Sequence, residues 1–438
     1  MAMPRKLILL CDGTWCGREA NTETNIHRLA RMIGVDMELE PALLDTANVK
    51  AFYAPGIGVG RPFFYYILDG ATGRSIGDEC KAAYQFIVEN YTPQHEIWMF
   101  GLSRGAFIVR SVAGMINNCG IITPTRDDTR NIDREETRLR CKIVYGLYCS
   151  EDDEDHPQSA KMEKYRRGNS HDVRTPVKFM GLFDTVGSLG IPAVQPREGF
   201  VWPEIFRDKS ISSVVENVYH AISTHDRLRA FTPSLAYRDP KHGNNALPIH
   251  EKWLPGAHYD LGRQKFRFLR SNKPLAWIPN AFAGTVEPND VLSDLTLRWM
   301  LESIQREDPH LLVIPNINNR IQDINDRLQQ EGQNTGSGDV YDEILEYLPL
   351  GKVTKLAFTA LSTVWTSAPQ KLGNFVKSVL GVATETDLLC RNRAIPQGAD
   401  VYNYRAADRD LGDLRIEDLA RLNERRYPSR SYDKFERR

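Results

Sequence analysis

A serine framed by glycines, Gly101-Leu102-Ser103-Arg104-Gly105, is the point in this chain where covalent chemistry is most readily built. The apolar run Ile97-Trp98-Met99-Phe100 precedes it, and a helix-like stretch, Ala106–Met115, follows. Strand, glycine-flanked serine and helix make the context of a nucleophile elbow, whose tight turn lifts a hydroxyl above the end of a sheet. The same turn sets the Arg104 N–H at a helix start, where a developing oxyanion can be held.

A serine hydroxyl needs an imidazole to take its proton, and the imidazole needs a carboxylate to fix its tautomer and stabilise its cation. In elbow folds the chain order is serine, acid, histidine. Of the ten histidines, His258 follows a strand-like run directly and sits in a glycine-bearing loop, Pro255-Gly256-Ala257-His258-Tyr259-Asp260-Leu261-Gly262. It is the expected base. His220 and His225 flank a helical or strand-like segment and read equally well as structural groups, and His250 lies inside a strand. Asp184, which closes the apolar run Phe179–Phe183, leads as the acid. Asp226 is second, because its neighbours Arg227 and Arg229 suggest an ion pair, and Asp260 reads as a brace for its own loop. The early loop Asp12-Gly13-Thr14 is expected to donate the second oxyanion N–H, from Gly13 or Thr14. Each such donor is worth about 2.7–4 kcal/mol in the transition state. Asp12 itself reads as a turn or cap residue that orders this loop.

The elements that must carry these groups are legible as apolar runs. Lys6–Cys11 (KLILLC), Val49–Tyr53 and Val177–Phe183 (VKFMGLF) read as strands, the first and last buried on both faces, and Pro248–Leu254 as a more alternating one. Glu79–Tyr91 carries Ala82, Ala83, Phe86, Ile87 and Tyr91 at helical spacing. Strands alternating with helices predict an α/β fold: an α/β-hydrolase-like, mostly parallel sheet with helices on both faces. In such sheets function gathers at the carboxyl ends of strands, where Asp12, Ser103, Asp184 and His258 all fall.

Residues 1–302 are the expected catalytic domain, with a polar insertion near 125–175 that includes the acidic run Ser150–His156. Residues 303–438 read as a helical and irregular extension. Within it Val353, Leu356, Ala357, Ala360, Leu361 and Val364 form one apolar helical face. Such stripes usually pack on their own domain; the sharper alternative places a lid over an ester-binding cleft within 353–380.

The chain has 438 residues and a formal net charge of -1, without a basic stripe interleaved with aromatics, so nucleic acid is not an expected partner. Seven scattered cysteines without C-x-x-C spacing suggest thiols in a reducing compartment, and no run has signal-peptide or membrane-spanning length. A cytoplasmic location follows as the expectation. No H-E-x-x-H, P-loop or EF-hand pattern appears, and Gly56-Ile57-Gly58-Val59-Gly60 lacks dinucleotide-loop spacing, so neither metal nor organic cofactor is implied. The expected partners are a small-molecule or lipid ester substrate and, at most, a peripheral membrane contact.

Taken together these pieces resemble a known family, the α/β-hydrolase domain that includes the Tle1-like phospholipase effectors of type VI secretion. The resemblance runs from about Lys6 to Met300. It rests on Cys11-Asp12-Gly13-Thr14-Trp15, Tyr53-Ala54-Pro55-Gly56-Ile57-Gly58, the serine motif through Phe107 with Arg110, and Phe183-Asp184-Thr185-Val186-Gly187-Ser188. It continues through His220-Ala221 to Asp226-Arg227, Trp253 to Gly262, and Leu292-Ser293-Asp294 to Trp299. The resemblance implies a Ser103–Asp184–His258 triad and carboxylic-ester hydrolysis, with glycerophospholipids the family's best-known substrates. Phe183 stands where the family usually has tryptophan, and Arg263 where it often has glycine. The same triad chemistry would serve a thioesterase or peptidase, and a hydrolase-fold binding protein is the non-catalytic alternative.

Overall fold

A computed structural model describes residues 4–13, 23–56, 73–174, 176–186, 210–226, 233–238, 247–267, 285–331, 395–397 and 399–401. The apolar helical face at 353–365, the lid expected within 353–380, and Thr14 all lie outside the described residues.

Among the described residues seven strands form the central sheet: β1 (Arg5–Cys11), β2 (Ala42–Asp45), β3 (Val49–Ala54), β4 (His95–Leu102), β5 (Val177–Phe183), β6 (Val215–Ser223) and β7 (Ile249–Leu254). Their spatial order is β2-β3-β1-β4-β5-β6-β7, and every pairing is parallel except the edge pair β2–β3. A small antiparallel pair, β8 (Phe266–Arg267) and β9 (Thr285–Val286), stands apart. β1 is buried from Lys6 to Cys11 because a central parallel strand is covered on both faces. Its Ile8 and Leu10 join one apolar cluster while Leu7, Leu9 and Cys11 join another on the opposite face.

Helices cover both clusters. On one face lie α2 (Gly73–Asn90), α3 (Arg104–Cys119), α4 (Arg134–Cys149) and α5 (Ala160–Asn169). On the other lies α1 (Asn25–Ile33), joined by α7 (Asp290–Glu307) and α8 (Ile317–Glu331), while the short α6 (His258–Gly262) follows β7. Side-chain caps set the helix starts: the Thr24 hydroxyl accepts from His27 N, the Asp133 carboxylate from Glu136 N, and the Asn289 amide oxygen from Leu292 N. α1 stops at Gly34, whose φ of 101° returns its N–H to the carbonyls of Ala30 and Arg31. α7 crosses residues 302–303, where the sequence suggested a boundary, and α8 packs Ile317, Ile324 and Leu328 into the same cluster as α7. Farther along, residues 395–401 return to the sheet edge. Trp253 N donates to Asp400 O at 2.8 Å, and Ile395 packs with Ile222 and Trp253.

The strand order reverses at β1: β3 lies on one side of it and β4 on the other. Crevices at such switch points are where open α/β sheets bind ligands. The Asp12 loop leaves β1 there, and Ser103 leaves β4 beside it.

Candidate active site

Ser103 occupies a left-handed position, φ 56° and ψ −115°, between β4 and α3. Its N–H donates to Phe183 O at 2.9 Å, which locks the turn to the neighbouring strand. Both flanking glycines are required by contact. A Cβ at Gly101 would stand 2.5 Å from Ala106 Cα, and one at Gly105 would stand 2.0 Å from the Cys11 carbonyl oxygen. α3 therefore backs directly onto the end of β1.

The hydroxyl so presented meets an imidazole. His258 Nε2 lies 2.9 Å from Ser103 Oγ, and His258 Nδ1 lies 2.7 Å from Asp184 Oδ2. All three residues are buried, at 4%, 2% and 0% exposure for Ser103, His258 and Asp184. Asp184 follows β5 in a left-handed conformation of its own, φ 41°. Its N–H bonds Ala221 O at 2.7 Å, and its Oδ1 accepts from Ser223 N at 2.9 Å. With one carboxylate oxygen held by the main chain, the other is aimed at the ring.

Asp226, the second candidate for the acid, meets the other part of the same histidine: its Oδ2 accepts the main-chain N–H of His258 at 2.9 Å. Asp260 accepts from Ala257 N at 2.8 Å with Oδ2 and from Asn289 N at 2.8 Å with Oδ1, tying α6 to the start of α7. Of the remaining histidines, His225 Nδ1 accepts from Gly256 N at 2.6 Å. His250 is exposed on β7 and stacks on Tyr219, with ring centroids 4.5 Å apart.

The Asp12 carboxylate is buried and gathers three donors. Gly13 N reaches Oδ1 at 2.7 Å, while Thr24 Oγ1 and Tyr53 OH reach Oδ2 at 2.6 and 2.7 Å. Burial pushes this carboxyl above its ordinary value, and the three donors hold it back. The Gly13 N–H, one of the two expected oxyanion donors, is thus directed at its neighbour's carboxylate. Arg104 stands at the first position of α3, where no earlier turn of helix offers its N–H a carbonyl. Its guanidinium is 3.9 Å from Glu79 of α2, whose carboxyl is pushed up to about 6 by burial, with Arg104 opposing the shift. Burial also raises the thiol of Cys11 well above its ordinary value, so this sulfur beside the site stays protonated and is no rival nucleophile.

Several groups around the site escaped the sequence reading. Ser223 serves Asp184 with its N–H and Gly256 O with its hydroxyl, the latter at 2.8 Å. Thr24 and Tyr53 hold Asp12, and Gln264 Nε2 fills the space where a Cβ at Gly13 would stand, 2.5 Å away. Ser223 and Thr24 are small polar residues without distinctive spacing. Tyr53 did lie in a quoted motif, but nothing in that motif tells that its hydroxyl would bridge to β1.

The parallel sheet, its layered helices and the serine turn at the switch point define an α/β-hydrolase-like protein. Residues 5–303 match the model of a family described as the catalytic domain of Tle1-like phospholipase effectors of type VI secretion, and the chain belongs to that family. The family so described is one of lipid-ester hydrolases. An uncharacterized protein of Saccharomyces cerevisiae (strain ATCC 204508 / S288c), YEL023C, is 30% identical over 241 residues, or 52% of this chain and 32% of that protein. The chain thus spans about a third of the length of the curated relative it matches. Among solved structures, an uncharacterized protein from Pseudomonas aeruginosa is 14% identical with a TM-score of 0.33, covering 72% of this chain and 48% of that one. The Tle1 effector bound to the VgrG spike of the type 6 secretion system is 19% identical with a TM-score of 0.30, covering 59% and 51%. Among the described residues no group of three or more histidine, cysteine or acidic side chains is placed to hold a metal ion, and no helix is long and apolar enough to cross a membrane.

Proposed function

We propose that this protein is a serine hydrolase that cleaves carboxylic esters, lipid or phospholipid acyl esters above all, through an acyl-enzyme on Ser103. The observation that carries the reading is the unbroken line from Asp184 Oδ2 to His258 Nδ1 at 2.7 Å and from His258 Nε2 to Ser103 Oγ at 2.9 Å. His258 takes the hydroxyl proton as Ser103 Oγ attacks the ester carbonyl carbon. Asp184 keeps the proton of Nδ1 facing itself and stabilises the imidazolium that results. The tetrahedral oxyanion forms beside the start of α3, where the Arg104 N–H supplies one donor, and the Asp12-Gly13-Thr14 loop supplies the second. Because Gly13 N points at Asp12, the Thr14 N–H is the better candidate of the two. Collapse of the intermediate expels the alcohol, which receives the proton from His258. Water, deprotonated by the same ring, then releases the acid and restores Ser103.

Asp226 and Asp260 support the site through the backbone: the first fixes the His258 N–H, the second braces the loop that delivers it. The decisive experiment assays Ser103→Ala beside wild type on p-nitrophenyl esters of graded chain length and then on phospholipids, with fluorophosphonate labelling in parallel. Serine-dependent turnover and labelling are the expected results, and their absence from the wild-type protein would end the reading.

A further inference from the structure

Behind the Asp184 carboxylate stands a second imidazole–carboxylate pair. His220 on β6 and Glu251 on β7 are register partners in the parallel ladder, with His220 Nδ1 3.3 Å from Glu251 Oε1. His220 is fully buried, and its Nε2 faces the main-chain N–H of Thr185 at 3.2 Å. An amide N–H can only donate, so Nε2 carries the lone pair and the proton sits on Nδ1, aimed at Glu251. Glu251 Oε1 also accepts the Ala236 N–H at 2.8 Å. Burial pushes the Glu251 carboxyl up, but His220, the Ala236 N–H and nearby Arg110 outweigh it and leave the carboxyl below its ordinary value.

Thr185 is the residue directly after Asp184, and it is gripped on both sides. Its N–H goes to His220, and its carbonyl accepts from Ser234 N at 2.8 Å. The Ser234 carbonyl in turn accepts from Arg110 Nη1 at 2.7 Å, two turns down α3 from Ser103. The grip matters because Asp184 is left-handed, φ 41°, a conformation that costs a non-glycine residue about 1–3 kcal/mol and persists only where its surroundings impose it.

We propose that His220, its tautomer fixed by Glu251, is a positioning residue that holds the Asp184–Thr185 peptide in the conformation from which the Asp184 carboxylate reaches the His258 ring. This inference rests on the serine-hydrolase reading and adds to it a residue outside the reacting line. The two imidazoles use the same parts in the same order, carboxylate to Nδ1–H. They differ at Nε2: His258 addresses a hydroxyl that will lose its proton, and His220 a peptide N–H that will not.

The test sets His220→Gln against His220→Leu. Glutamine can place an amide oxygen near the position of Nε2 and accept the Thr185 N–H, whereas leucine keeps bulk and loses the acceptor. Both variants are assayed on a p-nitrophenyl ester beside wild type and Ser103→Ala, with melting temperatures measured on each. His220→Leu is expected to lower kcat by about 10²-fold at unchanged KM, the scale of a misplacement near 1 Å. His220→Gln is expected to recover at least about tenfold of that loss. Wild-type kcat in His220→Leu, or glutamine no better than leucine, overturns the inference. Should His220→Leu fail to fold, Glu251→Leu decides: removing this partly exposed carboxylate releases the tautomer, and kcat should fall with KM unchanged. An unaltered kcat there overturns the proposal too. Activity surviving in Ser103→Ala would sink the hydrolase reading itself, whereas an inactive Ser103→Ala beside a fully active His220→Leu sinks only the positioning role.

Discussion

At the amino end of the sheet, Lys6 reaches its register partner Glu96 at 2.7 Å and Asp308 at 3.2 Å, with its ammonium 5.0 Å from the Trp98 ring centroid. At the carboxyl end, Asp184 faces an imidazole that in turn faces a hydroxyl. Both ends bury charge, but they complete it differently. Lys6 sits in a regular strand between anions that already neutralise it. Asp184 and Ser103 sit in left-handed turns, φ 41° and 56°, and the aspartate faces an imidazole in place of an ammonium. One end is a closed ion-pair cluster, while the other, in the proposed mechanism, is arranged for a charge that appears during turnover.

The comparison can be broken by substitution, and the largest effects belong to the carboxyl end. Ser103→Ala should lower kcat on the order of 10⁶-fold, measured on a short-chain ester with the fold checked by circular dichroism. Asp184→Asn should cost about 10⁴-fold in kcat, because an amide selects the wrong tautomer of His258. Asp226→Asn, which touches only the main chain of that histidine in the proposed arrangement, should cost far less in the same assay. A larger loss at 226 than at 184 would exchange their roles. At the amino end the sign of the outcome changes. Lys6→Met strands the buried Asp308 and should remove about 3–5 kcal/mol of stability by urea denaturation, with kcat per folded molecule unaltered.

Glu79 sharpens the same contrast, since its cation, Arg104, stands 3.9 Å away and offsets only part of the cost of burying the carboxyl. Its folded value of about 6 lies above the ordinary 4.5, so it binds its proton more tightly folded than unfolded. The stability it contributes is fully present below pH 4.5, is lost as the pH climbs through 6, and amounts to about 2 kcal/mol. Glu79→Gln should abolish that slope and raise the melting temperature at pH 8, which a pH series of thermal melts would show.

Much of this arrangement was legible in residue order, and the reasons are physical. β1, β4 and β5 are buried on both faces along most of their length, so each carries a dense apolar run, and each ends beside a residue of the candidate site. Ser103, Asp184 and His258 can therefore be placed at the carboxyl ends of strands, with Asp226 left open as the acid, although their meeting depends on strand order that no local pattern encodes. β6 is ambiguous because Val215–Ser223 mixes Glu216, Asn217 and His220 into its apolar positions, and those polar side chains find partners distant in sequence, on neighbouring strands and on α7. β2 went unread because four residues at an antiparallel edge, Ala42–Asp45, carry too little periodicity to register. α4 begins at Arg134, inside a stretch dense in charge, and its exposed Leu139 and Ile143 blur the stripe that would have marked it. Asp226 reads as the second candidate for the acid, with Arg227 and Arg229 suggesting an ion pair; those arginines lie outside the described residues, and what sequence proximity does not show is that its carboxylate reaches the backbone of His258. That bond joins residues 32 positions apart.

The left-handed serine has a practical corollary. A glycine there would adopt φ 56° without steric penalty, so Ser103→Gly should be inactive and yet unfold at a higher temperature than the native protein, by about 1 kcal/mol of stability. In differential scanning calorimetry the catalytically dead variant should outlast the living one, and the margin between them would measure how much durability this fold gives up to keep its hydroxyl at the ready.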